Sequence, residues 1–285
     1  MTDPVPDADA VKARNLAEWS VTAEGWRRAA PTLAQYLDPP TEIMLDLVGI
    51  QTGDRVLDVA AGSGGQTMLA ARRVGPSGFV LATDLSPQML TLAALELQQA
   101  GLTNVETQVM DGENLQLAEE SFDGVICRGG LEFFPEPEKA LRGMRQVVKP
   151  GKKVGVVDFS IPDTCPFVAI PVSLIRERAQ LPAPPPGAPG LFSLGQPGLL
   201  QAVYERAGFR AVQVVSVTTH LQLPSALECV HFLQDVGGAV QQILAAMSET
   251  QRQDAWNAVE HALRRYEGPS GFDAPCEFLV GVGTK

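Results

Sequence analysis

The chain has 285 residues, 45% of them hydrophobic, a length that suits one large domain or one and a half around a sizeable core. It carries 33 Asp and Glu against 22 Lys and Arg, a net charge of −11, and its basic residues form no run, only isolated pairs such as Arg72 and Arg73. Such a surface repels a phosphate backbone, so a nucleic-acid partner is disfavoured.

Residues 1–8 read as disordered, and residues 9–48 as helical. There Leu16, Trp19, Ala23 and Trp26 recur at helical steps on one face, and Pro31 and the pair Pro39 and Pro40 interrupt the region. From residue 54 the pattern alternates. "RVLDVA" is a strand, "GQTMLAARRVG" a helix ending at Gly75, and "GFVLATDL" a second strand. Ser86 and Pro87 supply an N-cap and a first-turn proline. Leu90, Ala93, Ala94 and Leu97 then mark one helix face, and Gly101 stops that helix. "VETQVMD" and "FDGVICRGG" are strands three and four, "PEKALRGMRQVV" a helix, and "KKVGVVDFS" strand five. Strands alternating with helices of this length imply an α/β fold on a mainly parallel, doubly wound sheet.

After residue 160 the rhythm changes. "LPAPPPGAPG" at 181–190 is a loop or lid. "GLLQAVYERAGF" is a helix stopped by Gly208, and "AVQVVSVTTHLQL" a long strand. Residues 225–267 read as two helices, separated near Gly237 and Gly238 or near Ser248, and "CEFLVGVGT" closes the chain as a strand. The four cysteines lie too far apart in sequence for a zinc site, so no metal is expected and they read as reduced thiols. "MTDPVPDADA" lacks the basic and apolar regions of a signal peptide, and no apolar run approaches the ~18–20 residues of a membrane span, so the expectation is a soluble cytoplasmic protein.

The stretch "VLDVAAGSGGQT" carries the chemistry. A glycine-spaced loop between a strand and a helix lets a ligand touch bare backbone. Gly62 and Gly64 fit a dinucleotide fingerprint, but its third glycine position is Thr67. Asp84, at the end of the second strand, can accept both hydroxyls of a ribose. Asp58, four residues before Gly62, would repel a pyrophosphate and attract an ammonium group. In "MDGENL", Asp111 can accept from the exocyclic amine of adenine and the Gly112 amide can face the ring. An adenosine at one end and an ammonium at the other describe S-adenosylmethionine. The neighbouring Glu113 reads as a solvated or capping residue.

At these residues the chain resembles the class I S-adenosylmethionine-dependent methyltransferases, and among them the ubiquinone/menaquinone-biosynthesis (UbiE-like) group. "VLDVAAGSGG", "TDLSPQML", "DGENL", "SFDGVICRGGLEFF" and "EKALRGMRQVVKPGKKVGVVDFS" carry the resemblance, across residues 54–160. It implies a seven-stranded Rossmann-like sheet whose last strand is antiparallel. The division would be an N-terminal helical cap at 1–48, a cofactor-binding core at 49–160, and lid helices with the final strands at 161–285. The implied cofactor contacts are Asp58, Ala60, Gly62, Gly64, Thr67, Asp84, Leu85, Asp111, Gly112 and Arg128. Arg128 stands where the family often has a smaller residue.

Methyl transfer is a direct displacement, so positioning and water exclusion supply much of the catalysis. In many relatives a histidine stands near "LEFF"; here the position is Glu132, flanked by Leu131, Phe133 and Phe134. Burial among them would raise its pKa, and it would orient or deprotonate the acceptor. Its bland alternative is a surface cap for the next helix. Trp19, Trp26 and Phe133 are the candidate acceptor contacts, although the two tryptophans also suit core or lid packing. The acceptor would be a small, largely apolar molecule and the protein a monomer or homodimer. Three rivals stand beside this reading, one of them a nucleic-acid methyltransferase, whose Asn/Asp-Pro-Pro-aromatic signature after strand four is missing here, since the one "DPP" is Asp38, Pro39 and Pro40, before the sheet and followed by Thr41. A reductase using NAD(P) on the same kind of sheet lacks its Tyr-x-x-x-Lys pair here, and a non-catalytic regulatory protein would bind the cofactor without transfer.

Overall fold

The alternation of apolar runs and amphipathic stretches builds a sheet covered on both faces. In the computed structural model, which describes residues 7–185 and 187–285, the strands are β1 (Arg55–Val59), β2 (Phe79–Asp84), β3 (Val105–Val109), β4 (Phe122–Arg128), β5 (Val148–Phe159), β6 (Arg210–Leu223), β7 (Glu267–Gly268) and β8 (Gly271–Thr284). Their order is β3-β2-β1-β4-β5-β8-β6. The first five pair in parallel, and β8 inserts antiparallel between β5 and β6. This is the doubly wound sheet with a reversed last strand, with one addition: the two-residue β7 pairs beside β8.

The strand period of two divides the core. Val56, Val80, Ile126 and Val157 face α2 (Ala30–Val48) and α3 (Gly65–Val74) on one side. Leu57, Val125 and Val156 face α5 (Pro137–Val147) and α7 (Leu199–Arg206) on the other. The helix α4 (Pro87–Gln99) starts as its sequence says, with Ser86 Oγ accepting from the Met89 N–H. Leu90, Ala93 and Leu97 are buried, but Ala94 is exposed, at the edge of the apolar stripe.

Several expectations change. The anticipated disorder at residues 1–8 lies mostly outside the described residues, and α1 (Ala8–Arg28) already begins at Ala8. Pro39 and Pro40 do not interrupt α2; they lie inside it. An interior proline costs about 3 kcal/mol, but Tyr36, Leu37, Met44, Leu45 and Val48 bury that helix against the sheet, which offsets the loss. Residues 225–267 hold three helices, not two, because both suspected breaks are used: α8 (Ala226–Val236), α9 (Gly238–Ala245) and α10 (Glu249–Leu263). A further helix, α6 (Pro166–Arg178), carries Pro171 in its middle. The segment 181–190 has no regular structure among its described residues, and Pro186 lies outside them.

β6 and β8 outrun β5. Their ladder continues from Thr218 with Glu277 to Leu223 with Phe272, past the end of β5 at Phe159. That overhang carries α6, α8 and α10 above the carboxyl ends of the parallel strands, and α1 lies against α8 and α9. Among the described residues no helix is long and apolar enough to cross a membrane.

Candidate active site

The carboxyl ends of β1, β2 and β4 open into one cavity beneath α1, α6 and α8. β1 ends in a turn with Ala60 at φ 57°, Gly62 at φ 56° and Gly64 at φ 91°. A side chain on Gly62 would meet no atom within 4 Å, so the backbone there is bare toward the cavity. Gly129, with φ 60° after β4, is bare in the same way. Asp84 clamps the turn: its Oδ2 accepts from the Gly62 N–H at 2.9 Å and its Oδ1 from the Ser86 N–H at 2.8 Å. Ala60, Gly62, Asp84, Leu85, Asp111 and Gly112 all line the cavity.

Asp58, Gly64 and Thr67 lie behind this wall. Asp58 is fully buried, with Oδ2 accepting from Thr67 Oγ1 at 2.6 Å and Oδ1 from Gln66 Nε2 at 3.2 Å. It acts through Gln66, whose Nε2 also donates to the Ala60 carbonyl at 3.1 Å and whose side chain does reach the cavity. Sequence reasoning passed over Gln66, because strand alternation points Asp58 into α3 and only the helix register brings Gln66 over it.

Burial pushes the Asp58 carboxyl from 3.8 up to about 7, against the hydrogen bonds from Thr67 and Gln66. An acid whose folded pKa is raised holds its proton more tightly when folded. Its stabilising contribution is present below about pH 4 and is lost as pH rises to about 7. Asp58→Asn should therefore flatten the fall of unfolding free energy across that window, by an amount up to on the order of 4 kcal/mol. Urea denaturation at several pH values reads this; a slope identical to wild type would remove Asp58 as the cause.

Asp111 is not free to face a ligand alone. Lys12 on α1 donates to its Oδ2 at 2.7 Å and pairs with Glu113 at 2.5 Å. Glu113 is not solvated; it is 4% exposed and accepts from the Glu136 N–H that opens α5, a capping role. Lys12 lies 99 residues from Asp111, and no local signal announces it. It ties the N-terminal helix across Asp111 and Glu113.

Arg128 leaves β4 into the cavity wall beside Gly65, donates to Thr41 Oγ1 at 3.0 Å and approaches Asp38 at 3.9 Å. Burial lowers its pKa, and the Asp38 charge offsets this only in part. A buried cation with free guanidinium donors suits a carboxylate. The wall thus offers bare backbone, a carboxylate at Asp84, acids at Asp111 and Glu113 and a cation at Arg128, a donor set that fits an adenosyl amino acid.

Beyond this half the cavity turns apolar. Trp19, Trp26 and Phe133 all line it, with Trp19 edge-on to Phe133 at 5.2 Å and to Trp26 at 5.8 Å. Trp26 Nε1 donates to the Val236 carbonyl at 3.1 Å, which holds α1 to α8. Glu132 stands in the short 3₁₀ turn Leu131–Phe133, only 1% exposed, and belongs to the residues that line the cavity. It is no surface cap. Its main chain is pinned as well, with its carbonyl accepting from the Gly190 N–H at 2.8 Å and from Ser193 Oγ at 2.8 Å. Burial, and then the nearby Asp158 charge, push its pKa well above the ordinary carboxyl range.

Residues 56–151 match the family model described as "Methyltransferase domain". The chain is 39% identical over 119 residues to the ubiquinone/menaquinone biosynthesis C-methyltransferase UbiE of Pseudomonas savastanoi, covering 41% of this chain and 46% of that one. To the UbiE of Pasteurella multocida it is 37% identical over 127 residues, covering 44% and 47%. The chain thus spans about half the length of the curated relatives it matches. In fold it is similar to a crystal structure of a methyltransferase-like protein from Bacillus halodurans, with TM-score 0.57, 18% identity and coverage of 86% and 98%. The YcgJ protein from Bacillus subtilis is similar too, with TM-score 0.56, 21% identity and coverage of 87% and 98%.

Proposed function

We propose that this chain, a class I S-adenosylmethionine-dependent methyltransferase similar to the UbiE enzymes in its core, transfers a methyl group to a small, largely apolar acceptor. The observation that supports this is the continuity of one cavity: the turn held by Asp84 and the apolar chamber containing Glu132 share it. When bound, the cofactor supplies an electrophilic methyl group on a sulfonium. Asp84 and the bare turn at Gly62 would hold its adenosine, Arg128 its carboxylate, and Gln66, backed by Asp58, its ammonium. Leu85 and Gly112 would flank the adenine, and Lys12 would close the wall over Asp111.

The aromatic walls exclude water, which strengthens each electrostatic contact within. Glu132 would orient the acceptor or receive its proton. A general base is worth about 10²–10⁴-fold, so Glu132→Gln should lower turnover at least about a hundredfold while affinity for S-adenosylhomocysteine stays within about twofold. Equal turnover in the two proteins would take Glu132 out of the chemistry. The cytoplasm suits the reaction, since all four cysteines are buried and unpaired.

Calorimetry with S-adenosylhomocysteine and with NADH tests the reading as a whole. Uptake of the first and not the second is expected; the reverse would favour a reductase. Binding without label transfer to any compound of a metabolite extract would favour a regulatory protein.

A further inference from the structure

Tyr36 lines the cavity from α2, just ahead of Asp38 and Thr41, the two residues beside Arg128. Its ring stacks on Phe278 of β8 with centroids 6.1 Å apart, and meets Phe167 of α6 edge-on at 5.6 Å and Phe232 of α8 at 6.3 Å. Three rings from three elements of the sheet and lid therefore fix the phenol in one place. The residue is only 4% exposed, yet among the described residues no group hydrogen-bonds its hydroxyl, and that hydroxyl is not sealed off from the cavity.

A buried tyrosine that serves only the core does otherwise. Tyr204, fully buried on α7, places its hydroxyl against the carbonyls of Gly281 at 3.0 Å and Val154 at 3.3 Å. The indole N–H of Trp26, in the same cavity as Tyr36, is likewise spent on the Val236 carbonyl. Buried polar groups without a partner are exceptions that need a reason, and packing supplies none here, because phenylalanine would make the same ring contacts. Burial raises the Tyr36 pKa well above that of an ordinary phenol, against the pull of the Arg128 charge, so the group stays neutral and keeps a proton to donate.

We infer that the Tyr36 hydroxyl is the specificity-determining contact of the acceptor chamber, donating a hydrogen bond to an oxygen of a ring-bearing, largely apolar acceptor. This rests on the methyltransferase reading and deepens it. The acceptor's ring lies among the aromatic walls, and its oxygen meets the one phenol that those walls leave unpaired. A hydrocarbon of the same shape fills the chamber but leaves the O–H unmet.

The test compares wild type with Tyr36→Phe, which removes one oxygen and keeps the ring. Both proteins are loaded with S-adenosylhomocysteine and titrated by calorimetry with 1-indanone, 5-indanol and indane, one bicyclic body carrying a carbonyl, a hydroxyl or neither. The exchange should weaken 1-indanone or 5-indanol at least about fivefold and leave indane within about twofold. Taking each probe against itself cancels its own cost of leaving water, and the larger loss assigns the oxygen as carbonyl or hydroxyl. Affinity for S-adenosylhomocysteine and the Tm should hold, which shows that the fold survives. Equal losses for all three probes would make Tyr36 a packing residue. That result, unchanged affinities, or no uptake of 1-indanone and 5-indanol by the wild type would overturn the inference. Failure of the wild type to take up S-adenosylhomocysteine would overturn the methyltransferase reading first, and this inference with it.

Discussion

Asp84→Ala is expected to lower affinity for S-adenosylhomocysteine by at least about a hundredfold. Two losses combine. In the proposed function the carboxylate would accept from the ribose hydroxyls, and charge-assisted hydrogen bonds are worth about 1.5–3 kcal/mol each. The same oxygens accept from the N–H groups of Gly62 and Ser86, so the turn that presents bare backbone also loses its clamp. Asp84→Asn should recover little, because the amide nitrogen must face one of two backbone donors. Isothermal titration of the three proteins separates these cases. Wild-type affinity in Asp84→Ala would mean that the ligand does not use the end of β2, and the site described above would be wrong.

Gly25→Ala is expected to destabilise the protein by about 1–3 kcal/mol and to loosen α1 over the cavity. The sign is informative, because helix propensity alone favours alanine over an interior glycine by about 1 kcal/mol. Packing decides otherwise. A Cβ at Gly25 would lie 1.9 Å from the Asp235 carbonyl oxygen, which is backbone and cannot swing aside. α1 must back away from α8, and the nearby Trp26 bond to Val236 and the pair between Arg28 and Asp235 go with it. Thermal unfolding measures the stability, and a red shift of tryptophan emission reports the unseated Trp26. A variant more stable than wild type would show that the close approach of these helices is not real.

The part legible from residue types alone was the part built by short-range rules. The central strands of the parallel core announce themselves as apolar runs, the exposed edge strand β3 shows instead only β-favouring residues between turns, and Ser86, Gly75 and Gly101 stop or start helices by their own backbone preferences. Asp84, Asp111 and the glycines sit at strand ends because parallel strands deliver ligand groups there, so their place in the fold follows from the order of elements. Glu132 was found among its apolar neighbours for the same local reason.

What tertiary structure alone decided are the pairings between distant segments and the direction each side chain takes. The alternation of β1 turns Asp58 into α3, so Gln66 stands between it and the cavity. Lys12 meets Asp111 and Glu113 only because α1 folds back across the sheet. Asp158 reads in sequence as one polar residue in an apolar strand, and becomes a partner of Glu132 only when β5 lies beside β4. Pro39, Pro40 and Pro171 remain inside helices because burial against the sheet and lid outweighs the local cost, a balance no window of residues contains. Local propensity is a matter of tenths to a few kcal/mol per residue, whereas burial is shared among residues far apart along the chain, so only the assembled fold can settle those contests.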